Sequence, residues 1–324
     1  MTLPVSLADV EAAAERIRPF VHRTPVFTSA TLDREIGARI FFKAENLQKV
    51  GAFKARGATN AVLELPADTT GVVTHSSGNH GQAVAYAASI RDLPAWVIMP
   101  RSAPALKMDA VRSYGAEVVL CDHADRESTA AEVMERTGGV LVHPFDDSDV
   151  IAGQATATLE LLDQVPNLDV VVAPIGGGGL LSGAATVAGG HEPPFPVVGA
   201  EPFAVDDAYR SLTSGIRQPG VESPVTVADG LLTGIGAHAF TILMAYKAEV
   251  IRVTEAAILD AASFLLLRMK LVVEPSGATP LAAIRTDPER FRDRRVGVII
   301  SGGNTDLSWL GAAEALTSHP ETNP

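Results

Sequence analysis

A lysine among small residues is the first candidate for chemistry in this sequence. Lys54 lies in the stretch GAFKARGA at positions 51–58, between a segment with strand character and one with helix character. At such a turn the positive end of the helix dipole disfavours a charged lysine and favours a neutral amine, which can attack a carbonyl group. The competing interpretation is a solvated lysine that begins a surface helix. For Lys54 alone that interpretation would be preferred, so the rest of the sequence must decide.

The stretch SSGNHG at positions 76–81 offers a second group of polar side chains. Two hydroxyls, an amide and the backbone N–H groups of a helix start can together hold a carboxylate and a phenolic oxygen. Plain N-capping of a helix by one hydroxyl is the alternative, but it accounts for neither the amide nor the imidazole. We therefore predict a substrate-binding loop that contains Ser76, Ser77, Asn79 and His80.

A run of glycines is the third candidate, and it consists of Gly176, Gly177, Gly178 and Gly179. The backbone N–H groups of such a loop can close on an anion, and the helix that follows adds its positive end. Because the loop lacks the Gly-Lys-Ser/Thr ending of a nucleoside triphosphate site, a phosphomonoester is the expected guest. A merely tight strand-to-helix turn is the alternative, although such a turn needs fewer glycines.

The same glycines also suggest a dinucleotide-binding unit, because Glu201 follows them after about twenty residues. The third glycine of the Gly-x-Gly-x-x-Gly pattern is missing, however, and Ser182 or Leu181 stands there, depending on where the pattern begins. A nicotinamide-dependent oxidoreductase therefore remains an alternative from a different class. It leaves Lys54 and the 76–81 stretch without a role.

Short apolar segments rich in β-branched residues alternate with helical patterns along the chain. This alternation is typical of parallel sheets with helices on both faces. The predicted strands are 39–45, 71–75, 95–99, 116–121, 139–143, 169–174, 196–201, 249–254 and 296–301. The predicted helices include 78–90, 104–114, 126–137, 152–164 and 256–269. Since ligands bind beyond the carboxyl ends of parallel strands, we expect one site where three loops meet: 76–81, 176–179 and the SGGN stretch at 301–304.

Composition narrows the class of protein further. The 324 residues carry a formal net charge of −12 and no run of lysine or arginine, which argues against nucleic acid or an anionic membrane as a partner. The single cysteine, Cys121, ends an apolar segment and is predicted to lie in the core; it also fits a reducing compartment. No secretion signal and no apolar segment of membrane-spanning length is visible. We expect a soluble, cytoplasmic protein.

Several of these segments together resemble the signature of a known family. The stretches GAFKARGA at 51–58, SSGNHG at 76–81, GGGGL at 176–180, EPSG at 274–277 and SGGN at 301–304 are similar to those of fold type II pyridoxal-phosphate enzymes, and most similar to the serine/threonine dehydratase and serine racemase family. The resemblance spans nearly the whole chain, from the N-terminal helix to Leu307. It implies an α/β fold of two domains with the cofactor between them, in a homodimer. Residues 1–70 and 148–324 would form the large domain, and residues 71–147 the small one.

The resemblance also implies a role for each site residue. Lys54 would hold pyridoxal phosphate covalently, Phe53 would lie beside the ring, Asn79 would contact the ring hydroxyl, and Ser301 would contact the pyridine nitrogen. The residues implied around the phosphate are Gly176, Gly177, Gly178, Gly179 and Leu180. Ser77 would lie on the ring face opposite Lys54, where racemases need a second acid/base group.

An acidic segment is a candidate metal site by the same resemblance. Glu201, the backbone carbonyl of Val205, and Asp207 match the family's divalent-cation ligands. Hard oxygen ligands at this spacing suit Mg²⁺, Ca²⁺ or Mn²⁺. On the residues alone, a solvated acidic loop would be favoured instead.

The implied activity is β-elimination from a 3-hydroxy amino acid, which converts L-threonine, L-serine or both to a 2-oxo acid and ammonia. The stretch HPFDD at 143–147 resembles the dehydratases, and Phe145 differs from the racemase pattern. Ser128 stands where racemases carry a substrate-contacting arginine, and whether Arg126 substitutes is open. Ala52 occupies a place that is usually serine, a change shared with some hydroxyaspartate-acting relatives. Hydroxyaspartate ammonia-lyase and serine racemase are the alternatives on the same scaffold, and a catalytically silent ligand-binding relative is another.

Overall fold

Two sheets organise the chain. A computed structural model describes residues 3–76, 78–101, 103 and 105–311, and in these ranges one sheet has six strands and the other has four. In chain order the strands are β1 (Val26–Phe27), β2 (Arg39–Ala44), β3 (Val72–His75), β4 (Ala95–Pro100), β5 (Glu117–Cys121), β6 (Val140–Leu141), β7 (Val170–Pro174), β8 (Val197–Pro202), β9 (Glu249–Val253) and β10 (Arg295–Ile300).

Helices connect and cover these strands. They are α1 (Leu7–Ile17), α2 (Ala30–Ile36), α3 (Lys54–Glu64), α4 (Asn79–Ile90), α5 (Ala105–Ser113), α6 (Arg126–Thr137), α7 (Ser148–Gln164), α8 (Gly179–Gly190), α9 (Asp207–Ser214), α10 (Ala237–Ala245), α11 (Glu255–Met269) and α12 (Pro275–Thr286). None of the described helices combines the length and the apolar character that a membrane crossing requires.

The strand order brings distant parts of the chain together. The six-stranded sheet runs β1-β2-β10-β7-β8-β9 and the four-stranded sheet runs β5-β4-β3-β6. All neighbouring strands are parallel except β1 and β2. The carboxyl ends of β2, β10 and β7 therefore lie side by side. This edge presents the loops before α3 and α8 and the SGGN stretch to one region.

Three helices that carry or support the candidate site pack against one another through glycines. A Cβ on Gly57 of α3 would lie 2.6 Å from the carbonyl oxygen of Val150 in α7, and a Cβ on Gly153 would lie 2.6 Å from that of Arg56. On the other side of α7, a Cβ on Gly183 of α8 would lie 2.9 Å from Ala155. Because these contacts are between backbones, α7 fixes the spacing of α3 and α8.

The predicted α/β class with parallel sheets is confirmed, and all nine predicted strands are present to within a few residues. The strand β1 and the helices α2, α9, α10 and α12 were not predicted. β1 has only two residues, and α12 is buried almost throughout, so its sequence lacks the polar stripe of an amphipathic helix. Cys121 is buried, as predicted. The division into two domains stays a prediction, although all four strands of the smaller sheet lie within 71–147.

Candidate active site

Lys54 is the first residue of α3 and lies against two other parts of the chain. The backbone N–H of Phe53 donates to the carbonyl oxygen of Ser301 at 2.9 Å, and the N–H of Gly303 donates to that of Gly51 at 2.9 Å. The Lys54 Nζ donates to the carbonyl oxygen of Pro144 at 2.5 Å. These bonds place the amine between the SGGN stretch and the segment before α7.

The surroundings of Lys54 favour its neutral form. Removal of the amine from solvent lowers the pKa of Lys54 to about 7. The residue as a whole keeps some exposure, whereas the amine itself is buried and poorly hydrated. About half of the lysine is therefore an uncharged base and nucleophile at pH 7; burial causes this shift, whereas the sequence prediction rested on the helix dipole.

The glycine loop reaches the same region through the residue after Pro144. A Cβ on Gly177 would lie 2.2 Å from the ring of Phe145, and one on Gly179 would lie 3.1 Å from the Phe145 carbonyl oxygen. Gly178 has a φ of 86°, which L-residues rarely adopt. The loop therefore requires glycine at Gly177 and Gly179 for lack of space and at Gly178 because of its backbone conformation. Residues 144–145 contact both Lys54 and this loop.

Three helices begin at this site without a side-chain cap. In the residues that the structure describes, neither Phe53, Gly78 nor Gly178, the N-cap residues of α3, α4 and α8, makes a side-chain capping bond. Ser6, Ser29, Asp147 and Thr254 cap α1, α2, α7 and α11, whereas the N-cap residues of α6, α9, α10 and α12 make no such bond either. Uncapped N–H groups with the positive end of a helix dipole favour an anionic ligand.

Asn79 connects the start of α4 to two other candidate segments. Its Nδ2 donates to both carboxylate oxygens of Glu274, at 2.9 and 3.2 Å, and its Oδ1 accepts from the Nδ2 of Asn304 at 2.8 Å. Asn304 also donates to the carbonyl oxygen of Val50 at 2.7 Å. Burial raises the pKa of Glu274 to about 7, against the opposing effect of the Asn79 bond. Asn79 is therefore held in one orientation.

Three histidines lie near the lysine. The rings of His75 and His143 meet edge to face at 5.8 Å between centroids. The Nε2 of the buried His80 donates to the carbonyl oxygen of Val142 at 3.1 Å, and its Nδ1 has no partner among the described residues. Burial lowers the pKa of each imidazole, and the charge of Lys54 adds to the effect on His80. These rings are neutral at neutral pH, so they add no cation beside the amine.

The predicted serines differ in what surrounds them. Ser301 is buried, and its backbone carbonyl accepts from Phe53 as described above. The Oγ of Ser76 accepts from the N–H of Gly78 at 3.3 Å. Ser77 lies outside the described residues. Ser128 is exposed, and its Oγ donates at 3.0 Å to the carbonyl oxygen of Asp125, the residue just before α6.

Glu201 near the end of β8 and Asp207 at the start of α9 are buried, so the interpretation as a solvated loop is wrong for these two carboxylates. Glu201 accepts from the N–H groups of Ala208 and Tyr209 at 3.0 and 2.9 Å, which caps α9. Asp207 Oδ2 accepts from the N–H of Ile235 at 2.8 Å. Burial raises the pKa of Glu201 to about 8 and raises that of Asp207 as well.

The side chains of Glu201 and Asp207 alone provide too few ligands for a cation, so a backbone carbonyl oxygen would have to complete the site. In the described part of the chain, no group of three or more His, Cys, Asp or Glu side chains is arranged to hold a metal ion. Val205, the third predicted ligand, is buried at the end of a short helical turn between Glu201 and Asp207. The two carboxylates would therefore act with a main-chain oxygen.

The residues present fit pyridoxal phosphate. A glycine loop at an uncapped helix start suits the phosphate, and a lysine with a pKa of about 7 suits the carbonyl carbon. Both touch the segment at Pro144 and Phe145, so they lie within the reach of one small molecule. A nicotinamide dinucleotide would leave this lysine without a role.

Sequence reasoning missed three residues of the site. Glu274 and Asn304 lie in the EPSG and SGGN stretches, but nothing in the sequence revealed that both would bind Asn79. Gln154 is fully buried in α7 between Gly57 and Gly179. The sequence signal for Gln154 is a long polar residue within the stretch IAGQATA at 151–157, whose other residues are mostly small. A polar residue in a helix is ordinarily interpreted as solvent-exposed, so this signal was missed.

Comparisons with known proteins agree with this geometry. Residues 17–302 match the family described as pyridoxal-phosphate dependent enzyme. The chain is 47% identical over 313 residues to a serine racemase from Dictyostelium discoideum, which covers 94% of this chain and 96% of that protein. It is also 47% identical over 306 residues to the beta-hydroxyaspartate dehydratase of Paracoccus denitrificans, with 93% and 97% covered.

Solved structures give the same result. A threonine deaminase from T.th. superposes with a TM-score of 0.90 and 46% identity, over 94% of this chain and 99% of that chain. The identity and the coverage are high enough to extend from the fold to the family. The chain therefore belongs to the pyridoxal-phosphate-dependent enzyme family and has the fold type II architecture.

Proposed function

We propose that this protein is a dehydratase that converts L-threonine, L-serine or both to a 2-oxo acid and ammonia by β-elimination. The observation that carries the proposal is the Lys54 amine, with a pKa of about 7, held at 2.5 Å from Pro144 beside the glycine loop. A lysine that is neutral at working pH can take a proton from the substrate. Relatives named threonine deaminase and beta-hydroxyaspartate dehydratase support the same class of reaction.

The residues of the chain have distinct roles in this proposal. Pyridoxal phosphate, when bound, supplies an electron-accepting ring that stabilises negative charge at the substrate α-carbon. Lys54 Nζ accepts the α-proton, and the 3-hydroxyl takes up one proton as its bond to carbon breaks and leaves as water, so the proton lost from the α-carbon balances the proton gained by the leaving group. The resulting enamine is hydrolysed to the 2-oxo acid and ammonia. Lys54 is therefore the catalytic base, and its low pKa suits that role near pH 7.

The remaining site residues bind and orient. We assign the phosphate to the loop Gly176, Gly177, Gly178, Gly179 and Leu180, and the ring to Phe53, Asn79 and Ser301. The bond that Asn79 donates to Glu274 and the bond that it accepts from Asn304 support this, because they fix the amide that would meet the ring hydroxyl. We assign the substrate carboxylate to the loop of Ser76, Ser77, Asn79 and His80 at the start of α4.

Serine racemase and hydroxyaspartate ammonia-lyase are second candidates, because proteins with those activities in their names are each 47% identical to this chain. Two residues favour the dehydratase. Phe145 differs from the racemase pattern, and the exposed Ser128 stands where racemases carry a substrate-contacting arginine. If Ser77 is a second acid/base group, Ser77→Ala should stop racemisation and spare elimination from the L-substrate.

One experiment separates these activities. Purified enzyme is given L-threonine, L-serine, D-serine and the 3-hydroxyaspartate stereoisomers, and 2-oxo acid release is measured together with chiral analysis of the remaining substrate. The dehydratase proposal expects fastest 2-oxo acid release from L-threonine or L-serine. It fails if D-serine accumulates from L-serine as fast as pyruvate, or if only a hydroxyaspartate is consumed.

We also propose a divalent cation, Mg²⁺, Ca²⁺ or Mn²⁺, at Glu201, the Val205 carbonyl and Asp207. Two buried carboxylates with raised pKa values support it, because a cation would stabilise both charges. Titration of the purified enzyme with each metal, followed by melting temperature, tests the site.

Homodimeric assembly and a cytoplasmic location complete the proposal. The family resemblance supports the first, and a single buried cysteine is compatible with the second. Light scattering of the purified protein tests the assembly, and fractionation of the source cells tests the location.

A further inference from the structure

Gln154 is the most conspicuous polar group that the proposed reaction does not use. It lies on α7 with no solvent exposure, and neither its Oε1 nor its Nε2 has a partner among the described residues. An unsatisfied buried amide is destabilising, because its lost hydration is not replaced. Native proteins rarely keep two such atoms on one side chain unless something binds them.

The position of this carboxamide is specific. Its Oε1 lies 2.8 Å from the place that a Cβ on Gly179 would occupy, and its Nε2 lies 3.0 Å from the place of a Cβ on Gly57. Any other residue at either position would displace the carboxamide. Gly57 and Gly179 thus make room for one polar group between the lysine helix α3 and the first residue of α8.

The start of α8 has features that suit an anionic ligand, independently of Gln154. Gly178, its N-cap residue, has no side chain to cap the helix, and a φ of 86° turns the loop tightly. The N–H groups of the first turn suit a phosphate. An unpartnered amide beside Gly179 adds a side-chain donor to those backbone donors, since rotation of the carboxamide by a half turn exchanges its oxygen and nitrogen.

We propose that Gln154 is a cofactor-binding residue whose carboxamide donates a hydrogen bond to the phosphate of pyridoxal phosphate at the start of α8. The amide extends the glycine loop from the side of α7 and ties the phosphate to the helix that also packs on α3. The inference rests on the cofactor of the family and not on which amino acid is the substrate.

The test compares two ligands that differ only in the phosphate. Dissociation constants of the cofactor-free enzyme for pyridoxal phosphate and for pyridoxal are measured by absorbance, and the ³¹P resonance of the bound phosphate is recorded. Gln154→Leu should weaken pyridoxal phosphate by about tenfold or more, because a hydrogen bond to a charged acceptor is lost. Pyridoxal binding should change by less than about twofold, and the ³¹P resonance should shift.

Gln154→Glu and Gln164→Leu are the companion variants. Gln154→Glu keeps the shape but brings a negative charge toward the phosphate, so it should weaken pyridoxal phosphate further than Gln154→Leu. Gln164 lies on the same helix and already binds Lys43 and the Thr24 carbonyl. Gln164→Leu should lower the melting temperature and leave the ratio of the two dissociation constants unchanged.

Other outcomes overturn the proposal. Equal weakening of both ligands would mean that Gln154 only supports the packing of α7, and no change in either would mean that a buried water satisfies it. Should Gln154→Leu fail to fold, Gln154→Glu gives the same comparison. A wild-type enzyme that binds pyridoxal phosphate but releases no 2-oxo acid would contradict the proposed function and leave this inference standing.

Discussion

Two groups of polar residues lie on either side of the first turn of α3. They differ in how fully their hydrogen bonds and charges are paired. On one side, the guanidinium of Arg56 donates to both oxygens of Glu45, at 2.7 and 2.8 Å, and to both oxygens of Glu160, at 2.8 Å each. Lys43 joins this cluster through Glu160 at 2.7 Å. Two cations and two carboxylates balance, and Thr156 and the His22 carbonyl accept the remaining guanidinium bonds.

On the other side of this turn, in the cleft around Lys54, several polar groups lack hydrogen-bond partners. Lys54 has a lowered pKa and one carbonyl partner, His80 keeps an unpartnered Nδ1, and Gln154 keeps two unpartnered atoms within the described residues. Burial also opposes the charge of Arg56, but Glu45 and Glu160 outweigh it and raise the pKa of the guanidinium.

The difference shows what each region is for. Arg56 and Lys54 are two residues apart, yet the first stays charged because buried carboxylates pair with it, and the second is about half neutral at pH 7 because burial lowers its pKa to about 7. Removal of a residue should therefore lower stability in the ion cluster and alter ligand binding in the cleft.

Lys54→Ala should produce the largest change. Turnover should fall by more than about 10³-fold, because the base is lost, and the visible absorbance of the bound cofactor should shift or disappear. The free energy of unfolding should stay the same or rise, since a poorly hydrated amine is removed. Absorbance spectra and urea denaturation check both parts.

Lys49→Ala is the matched control, because it removes a lysine from the turn just before α3. It should keep the cofactor absorbance and most of the activity. Near-normal turnover in Lys54→Ala, with borohydride fixing the cofactor on another lysine, would contradict the assignment of Lys54.

Arg56→Met should have the opposite effect. It leaves Glu45 and Glu160 without their main partner in the interior, so the free energy of unfolding should fall by about 3–5 kcal/mol. Replacement of Glu45 by Leu in the same chain should recover much of the loss, because an unpaired buried charge is removed. Urea denaturation followed by circular dichroism measures the three values.

Arg292→Met supplies the surface comparison. Arg292 pairs with Glu289 three residues earlier on the exterior, where solvent screens the pair, so its loss should leave the free energy of unfolding nearly unchanged. A loss at Arg56 as small as that at Arg292 would mean that the buried cluster does not stabilise the fold.

The sequence predicted the residues of the cleft around Lys54 better than the buried ion cluster around Arg56. Glycines, a lysine and a polar loop each carry a local signature, and parallel strands bring their carboxyl ends to one edge, so Lys54, the glycine loop and Ser301 could be grouped in advance. Glu45 lies 11 residues and Glu160 lies 104 residues from Arg56, and neither spacing reveals an ion pair. Glu274 was overlooked for the same reason: its contact with Asn79 depends on how two sheets are placed together.

Divalent cations should have a smaller effect. If Glu201 and Asp207 bind Mg²⁺, a concentration of 100 times the dissociation constant should stabilise the folded enzyme by about 2.7 kcal/mol. The melting temperature should rise with Mg²⁺ and fall with chelator. Asp207→Asn should abolish the response, whereas Asp206→Asn, whose carboxylate pairs with Arg210 and Arg252, should keep it. No response in the wild type would refute the site.

The smallest effect concerns the proton on Glu274. Burial raises the pKa of Glu274 to about 7 from an ordinary value of 4.5, so between these values the folded protein holds a proton that the unfolded chain has lost. The stability contributed by this group is full below pH 4.5 and falls as the pH rises toward 7. Between pH 5.5 and 6.5 its share of the decrease is at most about 1.4 kcal/mol.

Glu274→Gln removes that proton and should flatten this part of the profile. Urea denaturation at pH 5.5, 6.0 and 6.5 gives the slope, and the difference between variant and wild type isolates Glu274 from Glu201, whose pKa is also raised. Because Asn79 Nδ2 donates to both oxygens of Glu274, the variant should also loosen Asn79 and weaken cofactor binding above pH 7, where the wild-type carboxylate is charged. Identical slopes in the two proteins would show that Glu274 is already ionised at pH 5.5, and that the cleft is better solvated than its burial implies.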